Sequence, residues 1–516
     1  MITIGEILAT IGLTFTFSEL LPLGRKIRSS HRYKDFLLAG TASLSANLFA
    51  YVLPSCEFIT NPYIQEPSVW QGISVAFIIA VVIQQLYNIA APLGFSKYSA
   101  KKTSQEILHV VAMGSDKDFS DLANLLMPLI SKLYYSSSKF DIYEKTRLEK
   151  ENKKYFSSSD TVAASEIFFT LSDKSFCKLI ACKRPDFIAQ LYRAATVNNV
   201  QFAKVLIQNI ICESINNKNS ILFREQNYDG LGFSKALINQ IFSNHELNEK
   251  IYPLSKWHFS SDNDHENLEC YAKCFLKCIE QYFESKDFFQ ASFSIKTAGN
   301  TIFENQGLRF IDTENMERSE FWKSEPFKLF EVAVDTFTKA IGKMKDYVEL
   351  ETKELIEYSS KQSNHDYTIF NNFAQWAFDL LEAAAICPAK FEATIRLPLL
   401  DLWESIFTNE AASYQEVRIK LAKLISKRID ENFQGGYASI IRVLLIILGL
   451  ENSKENPIHK KLLDSLVENF EDLYLADSLG ATRHLPKHIE FDSSTTSLHD
   501  SRDVESFFSV RKPPKN

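Results

Sequence analysis

The apolar positions of this chain change character along its length. Near the start they form unbroken runs: Gly72 to Leu93 holds 22 residues without a charge and Phe36 to Pro54 holds 19. Both lie in the range of about 17 to 25 residues that crosses a hydrocarbon core of about 30 Å, so both are expected to span a membrane. A further stretch, Ile2 to Leu23, is interrupted by Glu6 and Glu19 and ended by Pro22; it reads either as a third span or as an interfacial helix. From about Ser104 onward the apolar residues recur at three and four spacing, in Phe187 to Ile211, Leu268 to Phe283, Phe327 to Val348, Phe370 to Ala385, Val417 to Ile429 and Leu462 to Leu473. That period predicts helices. Asn-, Ser- and Asp-rich breaks at Asn216 to Ser220, Ser260 to Glu266, Lys361 to Asp366 and Glu451 to Pro457 read as their connections. No fixed repeat period is visible, which favours an irregular helical array over a regular solenoid. The 13-residue run Ala438 to Leu450 contains Arg442 and is too short to span, so it is expected to be a buried core helix.

Loop charges give the N-terminal runs an orientation. Arg25, Lys26, Arg28, Arg32 and Lys34 lie between the first two, no Lys or Arg lies between Ser55 and Trp70, and Lys97, Lys101 and Lys102 follow the last. Cytoplasmic flanks are rich in Lys and Arg. The expected topology has the N-terminus outside a bacterial inner membrane and the bulk of the chain in the cytoplasm. The domains expected are a transmembrane domain over 1–100 with two to three spans, membrane-proximal helices and a linker over 101–160, a helical ligand-binding module over 161–483, and a flexible tail over 484–516. The fold class is all-α, with N-terminal transmembrane helices preceding a large irregular multi-helix module.

Composition fits this picture. At 516 residues the chain should hold several cores. Phe 40 and Tyr 20 against Gly 16 favour packed helices, and eight scattered cysteines point to a reducing compartment rather than a disulfide scaffold. A net charge of −7 offers no general attraction to nucleic acid, so a polyanion would need a local basic patch.

Polar residues within the runs lie at helical spacing. Gln84, Gln85 and Asn88 are pore-lining candidates, with helix-to-helix hydrogen bonding as the alternative reading. A pore from so few helices per chain requires several copies, and hence a homo-oligomer, taken as a tetramer. Ala42, Ala46 and Ala50 form a small-residue stripe that permits close helix contact, beside Ser43 and Asn47.

Sequence chemistry is otherwise sparse. Neither H-E-x-x-H, a G-x-S-x-G elbow nor a Walker lysine is present, so no catalytic residue, metal ligand or cofactor is assigned and no enzymatic activity is expected. Cys270, Cys274 and Cys278 share one helical side without a zinc spacing and read as small residues in a helix contact. Asp229-Gly230-Leu231-Gly232 reads as a turn; the alternative is an anion site of exposed amides aided by Arg224 or Lys235. The strongest polyanion candidate is the stripe Lys420, Lys423 and Lys427 with Arg418 and Arg428 nearby, set against the plainer reading of a solvated face. An oligonucleotide is the ligand such a stripe would suit.

The layout of short spans followed by a large helical module without an enzyme motif resembles the membrane effectors of bacterial anti-phage systems, and among them the effector of Hailong defence. That resemblance implies an oligomeric ion channel whose cytoplasmic crown binds single-stranded DNA oligomers made by a partner nucleotidyltransferase, with bound oligomer holding the channel closed. The function expected is a homo-oligomeric, ligand-gated inner-membrane channel of anti-phage defence, partnered by the lipid bilayer and an oligonucleotide. The alternative is a membrane-anchored scaffold or receptor without a pore.

Overall fold

The computed structural model describes residues 33–55, 61–97 except 91–94, 99–139, 158–196, 201–227, 236–258, 264–285, 292–348 except 305, 368–408, 411–435 and 439–448, and more sparsely residues between 460 and 509. Of these, 82% are helical. The chain divides into two compact units, Met1–Ser214 with Asn219–Ile221 and Ile215–Lys218 with Leu222–Asn516. The division falls at the Asn-rich break around 216–220.

Among its described residues, the first unit starts with a helical hairpin. Helix α1 (Tyr33–Val52) and helix α2 (Pro67–Ala90) pack side by side. Their contact is made by small and polar groups. The hydroxyls of Ser43 and Ser74 lie 2.8 Å apart, each bonds the other residue's backbone carbonyl, and Ala46, Asn47 and Ala50 are buried beside them. In the first turn of α2, Trp70 Nε1 donates to the Ile64 carbonyl of the connection at 2.7 Å and its ring meets Phe49 edge-on.

This hairpin corrects the membrane reading. Among the described residues, no helix is long and apolar enough to cross a membrane. The N-terminal transmembrane helices and the inner-membrane placement with the N-terminus outside are therefore not supported. The charge-free runs predict spans, but Ser43, Asn47 and Ser74 interrupt their apolar character, and these polar residues form the seam that pairs the two helices. The stretch Ile2 to Leu23 lies outside the described residues.

Beyond the hairpin the unit is a layered helical array. It comprises α3 (Ala100–Met113), α4 (Asp116–Leu126), α5 (Ile130–Ser137), α6 (Ser159–Leu171), α7 (Lys174–Lys183), α8 (Pro185–Ala195) and α9 (Ala203–Asn216). The expected single helical stretch from Phe187 to Ile211 is thus two helices. Caps fix the starts: Ser115 and Asp118 form a reciprocal capping box on α4, and Asp173 accepts the amides of Ser175 and Phe176 on α7. Phe119, Phe176 and Phe187 join α4, α7 and α8 through edge-to-face rings with centroids about 6 Å apart.

The second unit comprises α10 (Ile221–Asn227), α11 (Ala236–Phe242), α12 (His245–Ile251), α13 (His265–Glu284), α14 (Phe293–Phe303), α15 (Glu325–Val348), α16 (Ile369–Ile386), α17 (Glu392–Phe407), α18 (Ala412–Gly435) and α19 (Ser439–Leu448). Helix α16 is central, packing against α14, α15, α18, α19 and the 3-10 turn Gln306–Thr313. Its Trp376 is fully buried among Phe275, Phe303 and Phe373, with the indole N–H donating to Asn300 Oδ1 at 2.9 Å. The run expected as a core helix is α19, where Val443 to Ile447 are all buried and Arg442 donates to the carbonyls of Ala385 and Cys387 at the end of α16.

The segment read as a flexible tail holds an antiparallel sheet: β1 (Ile489–Asp492), β2 (Ser497–Asp500) and β3 (Phe507–Ser509), in the order β1-β2-β3. Ile489 pairs with Asp500 and Leu498 with Phe508. Leu498 is buried, and Phe491 meets the rings of Phe470 and Tyr474. A short alternation of apolar and polar residues among serines and charges hid these strands from composition.

Candidate ligand-binding surface

Helix α18 carries the basic stripe, and its core face determines where the stripe points. Tyr414, Val417, Leu421 and Ile425 are buried at helical spacing, and the Tyr414 hydroxyl donates to the Ile341 carbonyl at 2.7 Å. Lys423 and Lys427 then fall on the exposed side, with Lys420 half-buried at its edge and the exposed side chain of Ile419 one turn from Lys423. The flanking arginines do different work. Arg418 Nε donates to the Ile406 carbonyl at 2.8 Å, satisfying the last turn of α17, and its guanidinium stands over the Phe407 ring. Arg428 pairs with Glu382 on α16. Arg418 is thereby a structural clamp, and Lys423 and Lys427 are the stripe's exposed cations with Lys420 at its margin.

The second anion candidate is placed differently. Arg224 is exposed on α10, while Lys235 and Asp229 to Gly232 lie outside the described residues. At the start of α11, Glu225 accepts the N–H groups of Leu237 and Ile238, each at 3.2 Å. Burial raises the Glu225 carboxyl above its usual range, and those two amides oppose the shift. Glu225→Ala is expected to cost about 1 kcal/mol, the value of a helix cap. Faster hydrogen exchange at Leu237 and Ile238 would show it; unchanged protection would remove Glu225 from that role.

The side chains of Gln84, Gln85 and Asn88, at the end of α2, lie outside the described residues. The cysteines of α13 are buried, with Gln226 Nε2 3.7 Å from Cys274 Sγ and Asn248 Nδ2 3.9 Å from Cys278 Sγ. The neighbouring Cys274 thiol and burial raise the Cys270 thiol, and burial raises that of Cys278, which leaves both protonated and unreactive at neutral pH. Among the described residues, no group of three His, Cys, Asp or Glu side chains is placed to hold a metal ion.

Sequence reasoning missed one concavity. A groove of about 670 Å³ opens between α3 and α6, lined by Lys101, Ser104, Gln105, Leu108, Glu166 and Phe169 among others. Ser104 Oγ donates to Glu166 Oε2 at 2.9 Å across it. Its residues are 62 positions apart in this pair, so only the packing of α3 on α6 creates the site.

No protein-family model, curated protein or solved structure matches this chain.

Proposed function

We propose that this chain is a non-enzymatic helical binding module whose ligand is a single-stranded oligonucleotide held along the lysine face of α18. The supporting observation is the exposure of the lysines on that helix: Lys423 and Lys427 are exposed, with Lys420 half-buried at the margin. Three ammonium groups over two turns match successive phosphates of a flexible strand, and the exposed Ile419 beside them offers an apolar contact for a base. The chain's net charge of −7 makes this attraction local. A pore forms no part of the proposal, because no described helix is long and apolar enough to cross a membrane.

The test is fluorescence anisotropy of a labelled single-stranded DNA oligomer with the full chain. Three neutralised phosphates give a slope of about −2 in log affinity against log salt, so binding should weaken roughly twentyfold between about 50 and 200 mM salt. Lys420→Glu/Lys423→Glu/Lys427→Glu should lower affinity by at least about tenfold with unchanged thermal unfolding. Equal binding by wild type and triple variant would sink the proposal and leave α18 as a solvated face.

A further inference from the structure

The hairpin of α1 and α2 is inside out. A helix of a water-soluble fold turns its large apolar residues to the core and its small or polar residues to solvent. Here the reverse holds. Ser43 and Asn47 are 1% and 0% exposed in the contact between the helices, together with Ala46, Ala50 and Ser74. Leu48, Val52, Phe77, Ile79 and Ile83 point away from that contact, with Ile79 at 51% and Ile83 at 60% exposure. Scattered apolar side chains on a surface need no explanation, but a contiguous set on a paired helical unit does.

We infer that a second copy of this chain covers this surface, the two hairpins joining as a four-helix bundle. Three observations favour that occupant. Eleven large apolar side chains described between Leu48 and Ile83 are exposed. At roughly 80 Å² each, about half the area an aromatic side chain buries, the nine on the two helices supply about 700 Å². That is close to the roughly 800 Å² per partner of a stable interface. From Phe36 to Ala90 the only charged residues are Glu57 and Glu66, both in the connection between the helices, so two such faces meet without like charges across the joint. A charged partner would find no complement there. Finally, a two-helix hairpin has one internal seam, here filled by small residues, and pairing two hairpins makes a four-helix bundle whose core can take the large ones. This inference is independent of the lysine face, which lies on another unit.

The experiment is multi-angle light scattering of the full chain in detergent-free buffer, alongside Ile79→Glu/Ile83→Glu and flotation with phosphatidylethanolamine/phosphatidylglycerol vesicles. A photo-crosslinker in place of Phe77 serves as the contact probe. The expected results are a particle of at least twice the 59.0 kDa chain mass, a crosslinked two-chain product, and a fall to one chain mass in the double variant. Circular dichroism should be unchanged in that variant. A wild-type particle of one chain mass would overturn the inference. So would a multimer that the double variant leaves intact, or a chain that stays single and floats with the vesicles, which would assign the surface to lipid.

Discussion

Gly299→Ala is expected to destabilise the second unit by about 1–3 kcal/mol, although substitution of Ala for Gly inside a helix ordinarily stabilises by about 1 kcal/mol. Gly299 lies within α14, where a Cβ would run into Cζ2, Cε2 and Cη2 of Trp376. That indole cannot yield easily. It is fully buried between Phe303 and Phe373, and its N–H is fixed on Asn300. Close packing makes an added methyl felt as strain rather than absorbed. The measurement is the urea midpoint of the variant, and a stabilised variant would show that the two helices can separate freely. Trp376→Phe removes the clashing atoms, so the double variant should lose less than the sum of the single changes, with a coupling of about 0.5–3 kcal/mol. Additive losses would exclude the contact.

Asp379→Asn is expected to raise stability above about pH 6 by on the order of 2–3 kcal/mol, and to leave it nearly unchanged below about pH 4. Asp379 sits largely buried on α16, with Oδ1 accepting from Gln375 at 2.8 Å and Oδ2 buried without a hydrogen-bond partner. Burial pushes its carboxyl up to about 6, Glu304 and Glu382 add repulsion, and the Gln375 bond opposes them. Its folded-state pKa therefore lies above its unfolded value. The folded protein holds the proton more tightly, so the stabilisation is full below the ordinary carboxylate range and is lost as pH rises through about 6. Urea midpoints across that window should decline in the wild type and decline less in the variant. Parallel curves would mean that Asp379 titrates alike in both states.

The helices were largely legible because their signal is local. Leu268 to Phe283, Phe327 to Val348 and Phe370 to Ala385 repeat at the helical period, and α13, α15 and α16 enclose those stretches within a few residues. Arg442 and the shortness of its apolar run identified α19 as a core helix, since both properties belong to the segment itself. The strands of the C-terminal sheet escaped because three or four residues of alternation carry little pattern, and pairing across the chain supplies their stability.

The candidate site was legible only as a stripe. Spacing placed Lys420, Lys423 and Lys427 on one face, but it could not separate them from Arg418, whose acceptor at Ile406 belongs to another helix. In the same way, Glu225 and the amides it captures are apart in sequence and meet only through folding. The hairpin shows this limit most sharply. Periodicity recorded that Ser43, Ala46, Asn47 and Ala50 share a side of α1, and the absence of charge recorded that the rest is apolar. Which side faces inward depends on the partner helix, because burial is a property of surfaces in contact and not of a segment alone. Sequence thus determined the helices and their chemical faces; the tertiary structure decided which faces are enclosed, which charges are engaged and which apolar surface is left for another molecule.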